Sequence, residues 1–351
     1  MDSPRFFLFT NTGIASQRKA IQCSLCPRNC LIADGKEGSC RVRQNRNGRP
    51  ALPFYGYITA LANDPIEKKP LYHFRPGTKI LSAGFTGCNL YCPFCQNWQI
   101  SQNTDVSGRF YTPDELMKAA SKTAVAYTYS EPLVHFEYLL ECMKEAKKAG
   151  VANVLVTNGC INSDAAAEIL ELCDAANIDL KCFSEETYSK VLGGSLGTVL
   201  DFIGTACRKG VHVELSTLIV PGLNDSEQEL DACAEFISGL ENSEEREYGK
   251  LVIPWHLSAY HPDWKWKAPS TPPSLLKAAA DRARRRLSHV YTGNIAAAEN
   301  ETVCTHCGQT QISRIGYRVD ISGLTVKKEN GEGGLTRVFC SSCGNKAPIK
   351  F

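Results

Sequence analysis

Eleven of the seventeen cysteines fall into three tight groups, at residues 23 to 40, 88 to 95 and 304 to 343, and this grouping limits what the chain can become more than any other feature. A chain of 351 residues can bury a sizeable core without disulfide staples. Its opening residues, MDSPRFFLFTNTG, lack the basic segment and long apolar run of a secretion signal. Disulfides belong to oxidising compartments, so metal ligation is the expected use of the grouped thiols and the cytoplasm the expected location. No apolar run approaches the roughly 20 residues that span a bilayer, so no membrane association is expected. Lys and Arg number 39 against 37 Asp and Glu, and this balance argues against nucleic acid as a main partner.

The cysteine groups divide the chain into a Cys-rich N-terminal module over residues 1–75, a central domain over 76–298 and a compact tail over 299–351. From Lys79 onward, short β-rich runs alternate with helical patterns. Strands are predicted over 79–85, 124–130, 152–158, 177–183, 211–220, 251–260 and 289–295. Helices with start signals lie between them, among them TPDELMKAASK opening at Thr112 and PLVHFEYLLECMKEAKKAG closing at Gly150. Such βα repeats predict an α/β fold, a partial TIM-type (β/α)6 barrel with its functional residues at the C-terminal ends of the strands. A doubly wound open sheet is the alternative. The run holding Arg282, Arg284, Arg285 and Arg286 is expected to be a solvated helix face.

Cys88, Cys92 and Cys95, spaced Cys-x3-Cys-x2-Cys, follow the first predicted barrel strand and so fall in its functional loop. Three soft thiolates from one loop suit three irons of a cubane cluster and leave the fourth iron open; a three-thiolate zinc site is the competing reading. Cys304, Cys307, Cys340 and Cys343 form two Cys-x2-Cys-Gly knuckles, the pattern of a zinc ribbon, with an iron site as the alternative. Cys23, Cys26, Cys30 and Cys40 form a third four-thiolate set that serves zinc or an iron–sulfur cluster equally well. Glu131, Asn158, Asp179 and Lys181 stand at predicted strand ends, where a barrel presents its site. Of the solitary cysteines, Cys142, Cys173, Cys207 and Cys233 read as small buried hydrophobes. Cys160 and Cys182 follow strand ends, which makes them candidates for radical quenching or proton donation.

The segment GFTGCNLYCPFCQNW, with Phe94 just before the third cysteine, resembles the motif of the radical S-adenosylmethionine (SAM) superfamily. That resemblance implies a [4Fe-4S] cluster whose open iron chelates SAM, reductive cleavage of SAM, and a 5′-deoxyadenosyl radical that abstracts hydrogen from a substrate. It implies for Glu131 a hydrogen bond to the SAM amino group. Asn158, Asp179 and Lys181 resemble residues that face SAM or substrate in glycyl-radical-enzyme activases. Ser216 and Thr217 in STLIVPGLND, and His256 in IPWHLSAY, resemble SAM contacts of the same activases.

Over nearly its whole length the chain resembles the AmmeMemoRadiSam system radical SAM enzymes, a family similar to pyruvate formate-lyase activating enzyme. The N-terminal Cys-x-Leu-Cys-Pro module and phrases such as NIDLKCFSEETYSKVLGG and PWHLSAYHPDWKW carry this likeness. It implies an electron donor of ferredoxin or flavodoxin type, and Memo-type and Ammecr-type proteins as partners, with the substrate undefined. Activation of a glycyl radical enzyme and a non-catalytic metal-binding or redox scaffold are the alternatives. A tRNA-modifying enzyme is disfavoured by the near-neutral charge.

Overall fold

The computed structural model describes residues 4–9, 20–105, 107–120, 123–243, 245–246, 249–296, 300–328 and 336–351. At its centre is an eight-stranded sheet. Its strands are β1 (Ala60–Pro65), β2 (Lys79–Gly84), β3 (Ala124–Thr128), β4 (Ala152–Thr157), β5 (Ala175–Asp179), β6 (His212–Ile219), β7 (Trp255–Ala259) and β8 (Val290–Gly293). From β2 to β8 every neighbouring pair is parallel, and the spatial order follows the chain order without a reversal. A doubly wound sheet needs a point where the strand order turns back, so this topology excludes it. Right-handed crossovers taken always in one direction put every helix on the same side of the sheet.

The six crossovers carry helices α1 (Pro113–Ala119), α2 (Phe136–Ala149), α3 (Ser163–Leu170), α4 (Leu196–Arg208), α5 (Glu227–Ser243) and α6 (Pro273–Ala283). Local sequence sets their ends. Thr112 and Glu115 close a reciprocal capping box at the start of α1, satisfying two otherwise orphaned donors. Gly150 ends α2 in the left-handed region, as its position after Lys147 and Lys148 predicts. The strands read as nearly continuous apolar runs because both faces are covered; all five residues of β3 are buried. Between sheet and helices one large core includes Phe85, Leu139, Ile178, Phe202 and Trp255.

The sheet takes in β1, which the sequence assigns to the N-terminal module. This edge strand lies antiparallel to β2. Its sequence, ALANDP, mixes exposed and buried positions and ends in proline, as edge strands do, and has no periodic signal. Within the arginine run Arg285 and Arg286 are exposed, while Arg282 pairs with Asp231 at 2.5 Å and Glu227 at 2.8 Å between α5 and α6. Among the described residues no helix is long and apolar enough to cross a membrane.

Both flanking modules are pinned to the sheet domain by buried polar groups. The guanidinium of Arg43, 1% exposed, reaches Glu137 on α2 at 2.7 and 3.0 Å and lies over the ring of Phe7. Glu137 also accepts the Arg5 amide at 2.7 Å, so one helix carboxylate gathers two parts of the N-terminal module. At the other end, Arg314 of the tail donates to the Tyr72 carbonyl at 2.7 Å, and the Lys350 amide donates to the His73 carbonyl at 2.8 Å. The segment 72–73 is itself held by Glu214 on β6, which accepts from the Tyr72 and His73 amides at 2.9 and 2.7 Å.

A buried ion pair that loses one partner leaves an uncompensated charge. Arg43→Ala is therefore expected to cost about 3–5 kcal/mol of unfolding free energy in urea denaturation of the full chain.

Candidate active site

The loop after β2 is built around a glycine. Gly87 has φ +78°, and a Cβ there would lie 2.6 Å from both the Cys40 carbonyl oxygen and Val42 Cγ1. Only glycine lets the chain turn here while the N-terminal module packs against it. Beyond it the loop folds back on itself. The Thr86 hydroxyl donates to the Ile100 and Asn103 carbonyls, the Gly87 amide to the Ile100 carbonyl, and the Cys95 amide to the Cys92 carbonyl. Neighbouring elements hold it from outside: the Tyr91 amide donates to the Leu192 carbonyl, the Lys265 and Trp266 amides to the Pro93 carbonyl, and Asn89 Nδ2 to the Cys160 carbonyl at 2.7 Å.

Cys88, Cys92 and Cys95 all face one cavity of about 340 Å³ at the C-terminal ends of the strands. Burial is the largest influence on Cys88 and Cys92, holding the first thiol well above its ordinary pKa and pushing the second up to about 12, and neighbouring thiols add to the rise. Cys88 and Cys92 therefore do not ionise here at neutral pH on their own; a bound metal would reverse that balance by supplying positive charge. Donors already point at the sulfurs: the Leu90 amide lies 3.4 Å from Cys88 Sγ, Asn158 Nδ2 lies 3.7 Å from it, and Ser101 Oγ lies 3.2 Å from Cys95 Sγ.

Glu131, Asn158, Asp179, Lys181 and Ser216 line the same cavity. Glu131 is 1% exposed and accepts from Thr157 Oγ1 at 2.6 Å, the Asn158 amide at 2.8 Å and the Leu133 amide at 3.1 Å. Burial nevertheless raises its pKa to about 7. A carboxylate has about four acceptor positions, so one remains for a ligand. Asn158 turns its amide toward Cys88 and Asn89, and its Oδ1 accepts from the Cys160 amide. Lys181 and Asp179 form an ion pair at 2.9 Å, and although burial opposes its charge, Asp179 keeps Lys181 protonated with a raised pKa. Ser216 Oγ is buried and makes no hydrogen bond, an open polar position on the cavity wall.

Four of the sequence candidates stand outside the cavity. His256 does not line the cavity: its Nε2 lies 2.7 Å from Glu214, and its ring packs against Tyr72 and Tyr291. Side chains alternate along a strand, so Ser258, two residues further along β7, takes the cavity position on that face. Thr217 follows the same rule, facing away from Ser216 to donate to the Leu180 carbonyl at 2.7 Å and accept from Trp255 Nε1. Cys160 and Cys182 are buried and do not line the cavity; Cys182 Sγ turns to the Ser184 carbonyl, and Cys160 Sγ packs against Gly194.

The cavity also recruits Lys69, Asn177, Ser258 and Asn294, which sequence reasoning missed. Asn177 precedes Asp179 by two residues on β5, so period-two alternation alone would have found it. Lys69 had no such signal. It reaches the cavity because β1 pairs with β2, and its Nζ is fixed by Asp64 at 2.7 Å and by the Tyr129 ring.

The C-terminal cysteines converge differently. Cys304, Cys307, Cys340 and Cys343 bring their sulfurs within 4.8 Å of one another, with Cys304 to Cys343 at 3.7 Å and Cys307 to Cys340 at 3.8 Å. Four sulfurs about 2.3 Å from one tetrahedral ion stand about 3.8 Å apart, so this set fits a single metal ion. The three thiols of the central loop do not gather this tightly. Thiolates bound to separate irons of a cubane stand wider than thiolates sharing one ion, and their donor set fits a cluster with one open position.

Comparison with known proteins agrees with this geometry. The sequence model described as the radical SAM superfamily matches residues 84–237. An uncharacterized protein of Methanocaldococcus jannaschii is 36% identical over 94% of this chain and 95% of its own length. Pyruvate formate-lyase 1-activating enzyme of Escherichia coli K12 is 27% identical over 55% of this chain and 79% of its own. A solved domain of pyruvate-formate lyase-activating enzyme from Bacteroides vulgatus superposes with a TM-score of 0.40 at 20% identity, covering 48% of this chain and 98% of that one, too loosely to carry an argument.

Gly87→Ala adds a clash to a strained φ and is expected to cost about 3 kcal/mol. Gly210→Ala, at φ +76° with nothing within 4 Å of the added carbon, is expected to cost about 1 kcal/mol. Urea denaturation of both variants checks the ranking.

Proposed function

This chain belongs to the radical SAM superfamily, and from that premise we propose that Cys88, Cys92 and Cys95 hold a [4Fe-4S] cluster beside a SAM site in the cavity they share with Glu131 and Ser216. The observation that carries this reading is the convergence of three thiols and an unpartnered hydroxyl on one cavity. When bound, the cluster supplies an electron that breaks a C–S bond of SAM, giving methionine and a 5′-deoxyadenosyl radical that takes hydrogen from the substrate. Glu131 offers its remaining acceptor position to the ammonium of SAM. Ser216 offers its hydroxyl to the same ligand, and Asn158 orients Cys88 through its amide. Asp179 and Lys181 stay paired and present both charges to whatever enters.

The finer assignments belong to the same proposal. The succession of Cys-rich module, parallel sheet and two-knuckle tail supports membership of the AmmeMemoRadiSam system group, with Memo-type and Ammecr-type proteins as partners and a ferredoxin or flavodoxin as donor. Zinc is the ion proposed for the tail, on the strength of its sulfur spacing. A second reading, activation of a glycyl radical enzyme, is supported by similarity to the activating enzyme of Escherichia coli. A purely structural role for all the cysteines accounts poorly for a thiol loop that opens on a cavity.

Reconstituted anaerobically and reduced, the full chain is expected to release 5′-deoxyadenosine from SAM, while Cys92→Ala releases none above background; equal release from both refutes the proposal. Glu131→Gln is expected to weaken SAM binding by the loss of a hydrogen bond between charged groups, about 1.5–3 kcal/mol or roughly tenfold to a hundredfold, read by equilibrium dialysis. Cys307→Ala is expected to lose one zinc equivalent by elemental analysis and to lower the melting temperature, because metal binding there contributes folding energy.

A further inference from the structure

We propose that Cys23, Cys26, Cys30 and Cys40 hold a second iron–sulfur cluster, closed by four thiolates, and that it is the point of electron entry to the Cys88 loop. The proposal rests on the reading of that loop as a cluster site.

The choice of iron and sulfide over zinc comes from a contrast within one structure. Among the described residues, the tail cysteines are the group whose ligand atoms all fall within 4.8 Å of one another. No three of the N-terminal four reach that spacing. Cys23, Cys26 and Cys40 lie within electrostatic reach of one another, and the Cys23 amide donates to the Cys30 carbonyl at 2.9 Å, which ties the fourth to the first. Wider spacing with four soft ligands suits a cubane, in which each thiolate binds its own iron. Backbone amides point at the sulfurs: Arg28 to Cys26, Val42 and Arg43 to Cys40, and Ser39 to Cys30 at 3.4 Å. Such donors, together with the guanidinium groups of Arg28 and Arg41 that lie over the Tyr91 ring, stabilise the negative charge of a four-thiolate cluster.

The site is built against the Cys88 loop. The Cys40 carbonyl packs on Gly87, the residue before Cys88. Tyr91, the residue before Cys92, donates its hydroxyl to the Ser39 carbonyl at 3.4 Å. Asn162 donates through its amide and side chain to the Leu25 and Ser24 carbonyls at 3.0 and 2.8 Å. Cys160 lies within electrostatic reach of Cys26, and its carbonyl accepts from Asn89, next to Cys88. Cys23 and Cys40 are buried, whereas Cys26 and Cys30 are partly exposed, with Asn29 and Leu31 open to solvent beside them. The set therefore runs from the surface to the back of the loop.

The transfer is a one-electron step. A low-potential protein donor of flavodoxin or ferredoxin type is oxidised, the N-terminal cluster is reduced, and the same electron then passes to the cluster of the Cys88 loop while the first is reoxidised. No atom or proton moves.

The full chain, reconstituted anaerobically with iron and sulfide, tests this through a variant that leaves the N-terminal module untouched. The triple substitution Cys88→Ala, Cys92→Ala, Cys95→Ala is expected to retain about four irons and four sulfides per chain, with a paramagnetic resonance signal on reduction that SAM does not alter. Zinc in place of iron and sulfide in that variant overturns the second cluster. The double substitution Cys26→Ala, Cys30→Ala is expected to keep the SAM-responsive signal after reduction by dithionite. Its reduction by reduced flavodoxin in stopped flow should slow by an order of magnitude or more, and an unchanged rate overturns the entry role. A wild-type signal that never responds to SAM would instead defeat the reading of the Cys88 loop, leaving the iron count of the triple variant to decide the N-terminal site.

Discussion

The rest of the structure is organised around a loop of three cysteines, two of which burial keeps from ionising. Cys88 and Cys92 sit where desolvation holds the thiol form, a balance that a cation among them would reverse. Such a loop needs to be rigid before the metal arrives, since each residue ordered by metal binding costs conformational entropy. The contacts around it meet that need. Strand β2 delivers it, Gly87 lets the N-terminal module close against its start, Leu192 and Cys160 hold its middle, and Lys265 and Trp266 hold Pro93. Residues from five separate stretches of the chain thus fix one short segment.

The two appendages are joined to the sheet by buried charge rather than by apolar burial alone. Glu137 holds the N-terminal module through Arg43 and Arg5. Glu214, fully buried on β6, accepts from His212, His256 and the Tyr72 and His73 amides; burial opposes its charge, but His212 and His256 hold its pKa well below the usual carboxylate range. Through segment 72–73 the same carboxylate connects to Arg314 and Lys350 of the tail. Polar hubs of this kind contribute little net stability, but they penalise every arrangement that leaves a charge unpaired, which makes the docking of each module specific.

Much of the fold was legible locally. Six of the seven parallel strands fall within the segments predicted from their β-rich patterning and β5 overlaps its segment from two residues earlier, and the capping box at Thr112 and the left-handed Gly150 lie where their residue types require. The edge strand β1 was not legible, because a short, partly exposed antiparallel strand has no period to detect. The site divided the same way. Glu131, Asn158, Asp179 and Lys181 reach the cavity from strand ends and Ser216 from within β6, whereas His256 lies one alternation too deep and is spent on Glu214. Lys69 reaches the cavity only through the pairing of β1 with β2.

The sequence by itself determined which chemistry the chain is equipped for. Thiol spacing is a local property, and three cysteines after a predicted strand specify a short loop of soft ligands whatever surrounds them. It also determined the βα succession, since strand and helix periods are written in neighbouring residues. Only the tertiary structure decided which of the three cysteine groups has the sulfur spacing of a single-ion site, because sulfur separations depend on how distant segments pack. The same packing brought Cys40 against Gly87 and so set the N-terminal thiols beside the central loop. Contact between residues 47 positions apart follows from the folding of the whole chain and cannot be read from either segment alone.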